Sequence, residues 1–144
     1  AHVGQDAQGG DRAATANQTA LAGHCIVGDD VIIGGLSGIH QHVRLGRGAI
    51  IGALTMVTHD VIPYGLVHAS RGELEGLNLV GLRRRGADRA ESEALRAAYK
   101  HLAEADGAFM DRARALSDRA ETPQVREIVE FILGHTDRSF LTPR

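Results

Sequence analysis

Leu21-Ala-Gly-His-Cys25-Ile-Val27-Gly-Asp-Asp-Val31-Ile-Ile33-Gly-Gly-Leu-Ser37-Gly-Ile39-His40 decides the fold. Leu21, Val27, Ile33 and Ile39 recur every sixth residue, and Cys25, Val31 and Ser37 follow the first three of them by four. Extended outward, the same phase gives Val3, Gly9 and Thr15 before this stretch and Leu45, Ile51 and Val57 after it. The companion positions run Ala7, Ala13, Thr19, Cys25, Val31, Ser37, Val43, Ala49, Thr55 and Val61, all small or β-branched. The residue after each leader is Gly or Ala in eight of ten cycles, with His40 and Thr58 as the exceptions. A fixed short period of this kind is the mark of a parallel β-helix built from hexapeptides, three to a triangular coil. Ten hexads make a little over three coils, a prism roughly 15 Å tall at a strand spacing of about 4.8 Å.

Composition agrees. Residues 1–62 contain no aromatic side chain, and all five in the chain lie from Tyr64 onward. A narrow prism has no room for rings, whereas an ordinary amphipathic sheet favours them. Eleven of the 18 glycines fall in the same segment, where tight corners use their freedom in φ.

A formal net charge of −2 argues against a general nucleic-acid binder, which needs a basic footprint. No apolar run approaches the ~18 residues of a membrane span. The single cysteine, Cys25, sits at a packing position and reads as structural. The chain starts with Ala1 rather than Met, part-way through a hexad, and an uncapped solenoid end is a liability. The expectation is therefore the C-terminal portion of a longer protein.

The period stops at Pro63. Residues 1–62 form the expected β-helix, 63–87 an extended tail or loop with a weak strand, and 88–144 a three-helix domain. Asp88 with Glu91 resembles a capping box. Leu95, Ala98, Leu102 and Ala105 recur at helical spacing until Gly107. Phe109, Ala113, Leu116 and Ala120 mark a second helix, and Thr122-Pro123 is a start signal for a third.

In an eighteen-residue coil Asp6, His24, His42 and Asp60 fall in one column, at vertical spacings near 5 Å. Gln5, Gly23, Gln41 and His59 form the adjoining one. Titratable groups stacked on one face of a rigid scaffold fit acid–base chemistry, although outward positions of a solenoid are polar in any case.

Three segments carry a resemblance: Leu21-Ala-Gly-His24, Ile33-Gly-Gly-Leu-Ser-Gly-Ile-His40-Gln41 and Gly76-Leu-Asn78-Leu-Val-Gly-Leu-Arg-Arg84-Arg85-Gly86. Together they resemble the acyl-ACP:UDP-N-acetylglucosamine O-acyltransferases, enzymes of the first acyl transfer in lipid A biosynthesis. The resemblance implies a mainly β fold, a left-handed parallel β-helix followed by a small C-terminal helical domain. It also implies a cytoplasmic homotrimer with active sites between neighbouring prisms, acyl carrier protein and UDP-N-acetylglucosamine as partners, and no cofactor. By resemblance Asp6 orients the general base, and the Gly23 N–H stabilises the oxyanion. His2, His24, His40 and Gln41 line the sugar and acyl-pantetheine cleft, and Asn78, Arg84 and Arg85 contact the nucleotide and its diphosphate. A small residue at Ala53, where the family gauges acyl length, implies a fairly long chain.

One departure stands at the reacting centre. The family's His-x-x-His-Asp reads His2-Val3-Gly4-Gln5-Asp6, so Gln5 occupies the catalytic base position. An amide does not take up protons in the range where imidazole does, and losing a general base costs about 10²–10⁴-fold in rate. Three readings stand open: an impaired homologue that binds nucleotide sugar or acyl carrier protein without turnover, a base relocated to His24, or an introduced substitution. Zinc held by His24, His40 and His42 is a weaker alternative, and the expectation is no metal.

Overall fold

The computed structural model describes residues 2–4, 7–15, 20–68, 72–134 and 139–143. Ten two-residue strands follow the hexads: β1 (His2–Val3), β2 (Gln8–Gly9), β3 (Ala14–Thr15), β4 (Ala20–Leu21), β5 (Ile26–Val27), β6 (Ile32–Ile33), β7 (Gly38–Ile39), β8 (Arg44–Leu45), β9 (Ile50–Ile51) and β10 (Met56–Val57). They assemble into three faces, β1-β4-β7-β10, β2-β5-β8 and β3-β6-β9. Partners along a face are eighteen residues apart, as in Ala20↔Gly38↔Met56 and Ile26↔Arg44. The result is a left-handed parallel β-helix of about three turns with helices at its C-terminal end.

The leading residues fill the prism. Val27, Ile33, Ile39, Leu45, Ile51 and Val57 are buried, as are the companions Cys25, Val31, Val43, Ala49 and Val61. Polar companions are satisfied within the core: the Ser37 hydroxyl donates to the Gly52 carbonyl at 2.8 Å and accepts from the Thr55 N–H at 3.2 Å. An unsatisfied hydroxyl there would cost about 1–3 kcal/mol.

Each corner is a column of left-handed residues. Arg12, Asp30 and Gly48 occupy one corner (φ 56, 59 and 72°), His24 and His42 the second (61 and 66°), Leu36 and Leu54 the third (58 and 56°). The corner N–H bonds to the coil before it, Gly48 to the Asp29 carbonyl and His42 to that of Gly23. Side chains in this conformation are uncommon outside Gly, Asn and Asp, so these corners are imposed by the coil rather than by local preference.

The register changes once. Val61 bridges Leu45, and Leu66 and Val67 pair with Ile50 and Ile51, an offset of sixteen. Two residues are thus dropped after Val57. Asp60 does not continue the column of His24 and His42: it turns inward, fully buried, where it accepts from the Arg44 N–H at 2.8 Å and from its Nε at 2.9 Å. Tyr64 then takes the place of Gly48 one coil on, with φ 64° and its N–H on the Arg47 carbonyl.

Residues 63–87, expected as an extended tail with a weak strand, contain more structure than that. β11 (Gly65–His68) continues the third face in parallel with β9, and β12 (Glu73–Leu77) pairs back on β11 as an antiparallel hairpin. A short helix α1 (Leu79–Arg84) follows, N-capped by Asn78. The helical end comprises α2 (Arg89–Glu104), capped by Asp88 through the Glu91 N–H, α3 (Phe109–Ser117), and α4 (Pro123–Leu133), capped by Thr122. Leu95, Leu102, Ala113, Leu116, Val125, Ile128 and Ile132 bury its core. Residues 139–141 return to the prism edge, where Asp60 bonds to Ser139 and Leu141 through the backbone. No helix among the described residues is long and apolar enough to cross a membrane.

Candidate active site

The second corner gathers the first group of expected site residues. Gly23 and His24 form one turn, and Gln41 and His42 form the turn one coil on. The His42 N–H donates to the Gly23 carbonyl at 3.2 Å. The Gly23 N–H donates to no described residue, which leaves a main-chain donor at a partly exposed turn. A free N–H of this kind is the sort of group that receives a developing oxyanion. The His24 and His42 rings stack, with centroids 4.9 Å apart and planes 2° from parallel.

His40, at the end of β7, is exposed, and its carbonyl accepts from Cys25 Sγ at 2.9 Å. Gln41 is exposed beside it. His2 has its backbone in β1, paired with Ala20 of β4. Gln5 and Asp6 lie outside the described residues. Among the described residues no three of His, Cys, Asp and Glu gather as metal ligands.

Asn78 and Arg85 belong to a different corner, and Arg84 is the last residue of α1 between them. Asn78 is buried, and both ends of its amide are used: Oδ1 accepts the Gly81 N–H at 3.0 Å, and Nδ2 donates to the Gly48 carbonyl at 3.0 Å. Its own N–H donates to the Tyr64 carbonyl at 2.6 Å. Asn78 therefore fastens the start of α1 to the corner made by Gly48 and Tyr64. Arg85 reaches over that corner, so close that a Cβ at Gly48 would stand 2.8 Å from its Nη2. Arg83, Arg84 and Arg85 are exposed, and none makes an ion pair or side-chain hydrogen bond with a described residue. Exposed guanidiniums suit a polyanion, since each offers a planar fork of donors to phosphate oxygens, and Arg85 also helps to hold the Asp30 carboxyl ionised. They also sit at the C-terminal end of α1, where a helix dipole favours cations.

Beside Arg85 the corner is locked to the helical domain. Arg47 pairs with Glu127 of α4 through Nε at 2.9 Å and Nη2 at 2.8 Å, and the Tyr64 hydroxyl bonds to both residues. Burial, then the bond to Glu127, pushes the Tyr64 phenol above its ordinary range. On the same corner Arg12 holds Asp30 in an ion pair, and its hydrogen bond keeps that carboxyl below the usual carboxylate range. Sequence reasoning missed the Arg47–Tyr64–Glu127 cluster because its members are 17 and 63 residues apart and no short motif links them. The sole trace was Tyr64, the first aromatic residue after 63 without one.

The family described as UDP N-acetylglucosamine O-acyltransferase, domain 2, matches residues 60–141. An acyl-[acyl-carrier-protein]–UDP-N-acetylglucosamine O-acyltransferase of Paracoccus denitrificans is 58% identical over 99% of this chain and 54% of its own length. That of Agrobacterium fabrum is 40% identical over 99% of this chain and 53% of its own. Among solved structures, a UDP-N-acetylglucosamine acyltransferase from Campylobacter jejuni superposes with a TM-score of 0.88 at 35% identity, covering 96% of this chain and 54% of that one. The Arabidopsis UDP-N-acetylglucosamine acyltransferase gives 0.87 at 35%, covering 95% and 51%. The chain thus spans about half the length of the curated relatives it matches.

Proposed function

This chain belongs to the UDP-N-acetylglucosamine O-acyltransferase family, and on that footing we propose that its parent protein transfers a 3-hydroxyacyl group from acyl carrier protein to the 3-hydroxyl of UDP-N-acetylglucosamine, the first acylation of lipid A biosynthesis in the cytoplasm. The observation that carries this reading is the Gly23–His24 corner, where a main-chain N–H that donates to no described residue adjoins a stacked imidazole. A base removes the proton of the sugar hydroxyl, and its oxygen attacks the thioester carbonyl carbon. The tetrahedral oxyanion takes the Gly23 N–H, and collapse expels the pantetheine thiolate, which recovers a proton. Each preorganised donor of this kind is worth about 10²–10³ in rate.

The two groups of residues stand at different corners of the triangle: Gly23, His24 and Gln41 at one, Asn78 and Arg85 at another. One substrate touching both is best served by neighbouring prisms, each giving a different corner, which favours a homotrimer with its sites in the clefts. Arg84 and Arg85 would then hold the diphosphate, Asn78 would set α1 in place, and His2, His40 and Gln41 would line the sugar and thioester.

Gln5 favours a second reading, a homologue that binds nucleotide sugar or acyl carrier protein without turnover. The test gives full-length protein a 3-hydroxyacyl carrier-protein thioester and UDP-N-acetylglucosamine, alongside its Gln5→His variant. Turnover by the unaltered protein supports transfer with a base other than residue 5. Turnover in Gln5→His alone supports the binding reading. Absence of turnover in both, with no binding of nucleotide sugar or acyl carrier protein by either, defeats the two together.

A further inference from the structure

We propose that His42, one coil above the Gly23–His24 turn, is a positioning residue for this site: it fixes the His24 imidazole by stacking and the Gly23 carbonyl by a hydrogen bond. The inference rests on the reading of His24 as a residue of the acyl-transfer cleft.

Both histidines are exposed, and an exposed imidazole ordinarily exchanges rotamers on a fast timescale. Here the coil removes that freedom. Both occupy the left-handed position of the same corner, φ 61 and 66°, so their Cα–Cβ bonds leave the prism in nearly the same direction. The eighteen-residue register then sets one ring upon the other, 4.9 Å apart and 2° from parallel. That separation lies in the range of attractive ring pairs. A stack engages the ring face, so it orients an imidazole without spending its nitrogens. At the same time the His42 N–H donates to the Gly23 carbonyl at 3.2 Å. One residue therefore grips the Gly23–His24 dipeptide at two points, with the proposed oxyanion donor at its start and a cleft imidazole at its end. A site needs such support, because a displacement of about 1 Å at reacting groups costs as much as 10²-fold.

A stacking role makes a specific demand: a flat ring without ionisable nitrogens should serve as well as imidazole. The experiment measures UDP-N-acetylglucosamine affinity by calorimetry on full-length protein and its His24→Ala, His42→Ala and His42→Phe variants, with melting temperatures alongside. Turnover is followed in whichever residue-5 background is active. His42→Ala should weaken binding, or lower kcat where turnover is read, by about tenfold. His42→Phe should restore it to within about twofold, with melting temperatures of both variants close to that of the unaltered protein. Loss in His24→Ala with none in His42→Ala overturns the inference and leaves the parent reading intact. Equal loss in His42→Ala and His42→Phe overturns stacking as the cause. No effect of His24→Ala overturns the reading of the cleft, and this inference with it.

Discussion

Arg44 closes over Asp60 by two routes at once, its backbone N–H at 2.8 Å from one carboxylate oxygen and its Nε at 2.9 Å from the other. The Asp60 side chain has no solvent exposure, and that of Arg44 keeps 18%. The guanidinium also lies 4.3 Å from the centre of the Phe131 ring of α4 and donates to the Phe131 carbonyl at 3.3 Å. Asp60 in turn takes the returning segment through its bonds to Ser139 and Leu141. A single ion pair thus ties together the point where the coil register changes, the last long helix and the end of the described chain.

Arg44→Leu should therefore be costly in a way that a surface ion pair is not. It withdraws the guanidinium from a fully buried carboxylate, a change worth about 3–5 kcal/mol. Arg44→Lys keeps the charge but loses the fork and the ring contact, so an intermediate loss is expected. Urea unfolding decides it. A loss in Arg44→Leu below about 1 kcal/mol, the range of exposed pairs, would contradict the account.

The Tyr64 cluster predicts a pH effect at the alkaline end. Burial and the Glu127 bond raise the phenol above its ordinary value of 10.0, so the folded chain keeps a proton that the unfolded chain releases. Stability is then complete below that ordinary value and falls as pH rises through it toward the folded one. Between about pH 9 and pH 11 the unaltered protein should lose more unfolding free energy than Tyr64→Phe. Equal losses would show that Tyr64 titrates like a free tyrosine. At neutral pH the Tyr64→Phe change itself costs about 1–3 kcal/mol, because it removes the two hydrogen bonds of the hydroxyl while Arg47 and Glu127 remain paired with each other.

The prism was legible because each hexad carries its own instruction. Leu21, Val27, Ile33 and Ile39 all point inward by one repeated rule, and the structure buries every one of them. The caps Asp88 and Thr122 were legible for the same local reason. What failed to show was non-local. The two-residue loss after Val57 coincides with Asp60 turning inward onto Arg44, and nothing near Asp60 in sequence announces that partner. α1 was hidden because six residues containing a glycine have little helical signal, and its stability comes from the Asn78 amide on Gly48, 30 positions away. Of the expected site residues, Gly23, His24 and Gln41 were already brought together by the eighteen-residue columns, whereas Asn78 and Arg85 lie beyond the hexads and their place at another corner rests on the distant contacts to Gly48.

Asn78 offers a way to divide anchoring from ligand contact. Asn78→Ala removes the α1 cap, worth about 1 kcal/mol, together with the bond to Gly48, so a loss near 2 kcal/mol is expected. On the proposed role of Arg84 and Arg85, nucleotide-sugar binding should fall in parallel, because both follow the helix that loses its anchor. Asn78→Asp keeps the cap and loses the donor to Gly48, so it should fall between the two on both measurements. Weakened binding in Asn78→Ala at unchanged melting temperature would instead mean that the amide acts on the ligand directly.

Two glycines separate the demand of the coil from mere openness. A Cβ at Gly28 would stand 2.7 Å from the Arg47 nitrogen and 3.0 Å from the Leu45 oxygen, both backbone atoms of the next coil. Backbone cannot rotate away as a side chain can, so Gly28→Ala has to spread two coils whose spacing is set by hydrogen bonds such as Gly28 N–H to Leu45 O at 2.8 Å. A cost of about 1–3 kcal/mol follows, as for other insertions into packed interiors. Gly38 lies on the outer side of β7 with nothing within 4 Å of a Cβ and no positive φ. Gly38→Ala should be neutral or stabilising by about 0.4–1 kcal/mol, because it narrows the unfolded ensemble alone. Thermal unfolding of the two variants reads the difference directly. If both alanines are tolerated equally, close coil stacking is not what calls for glycine at position 28.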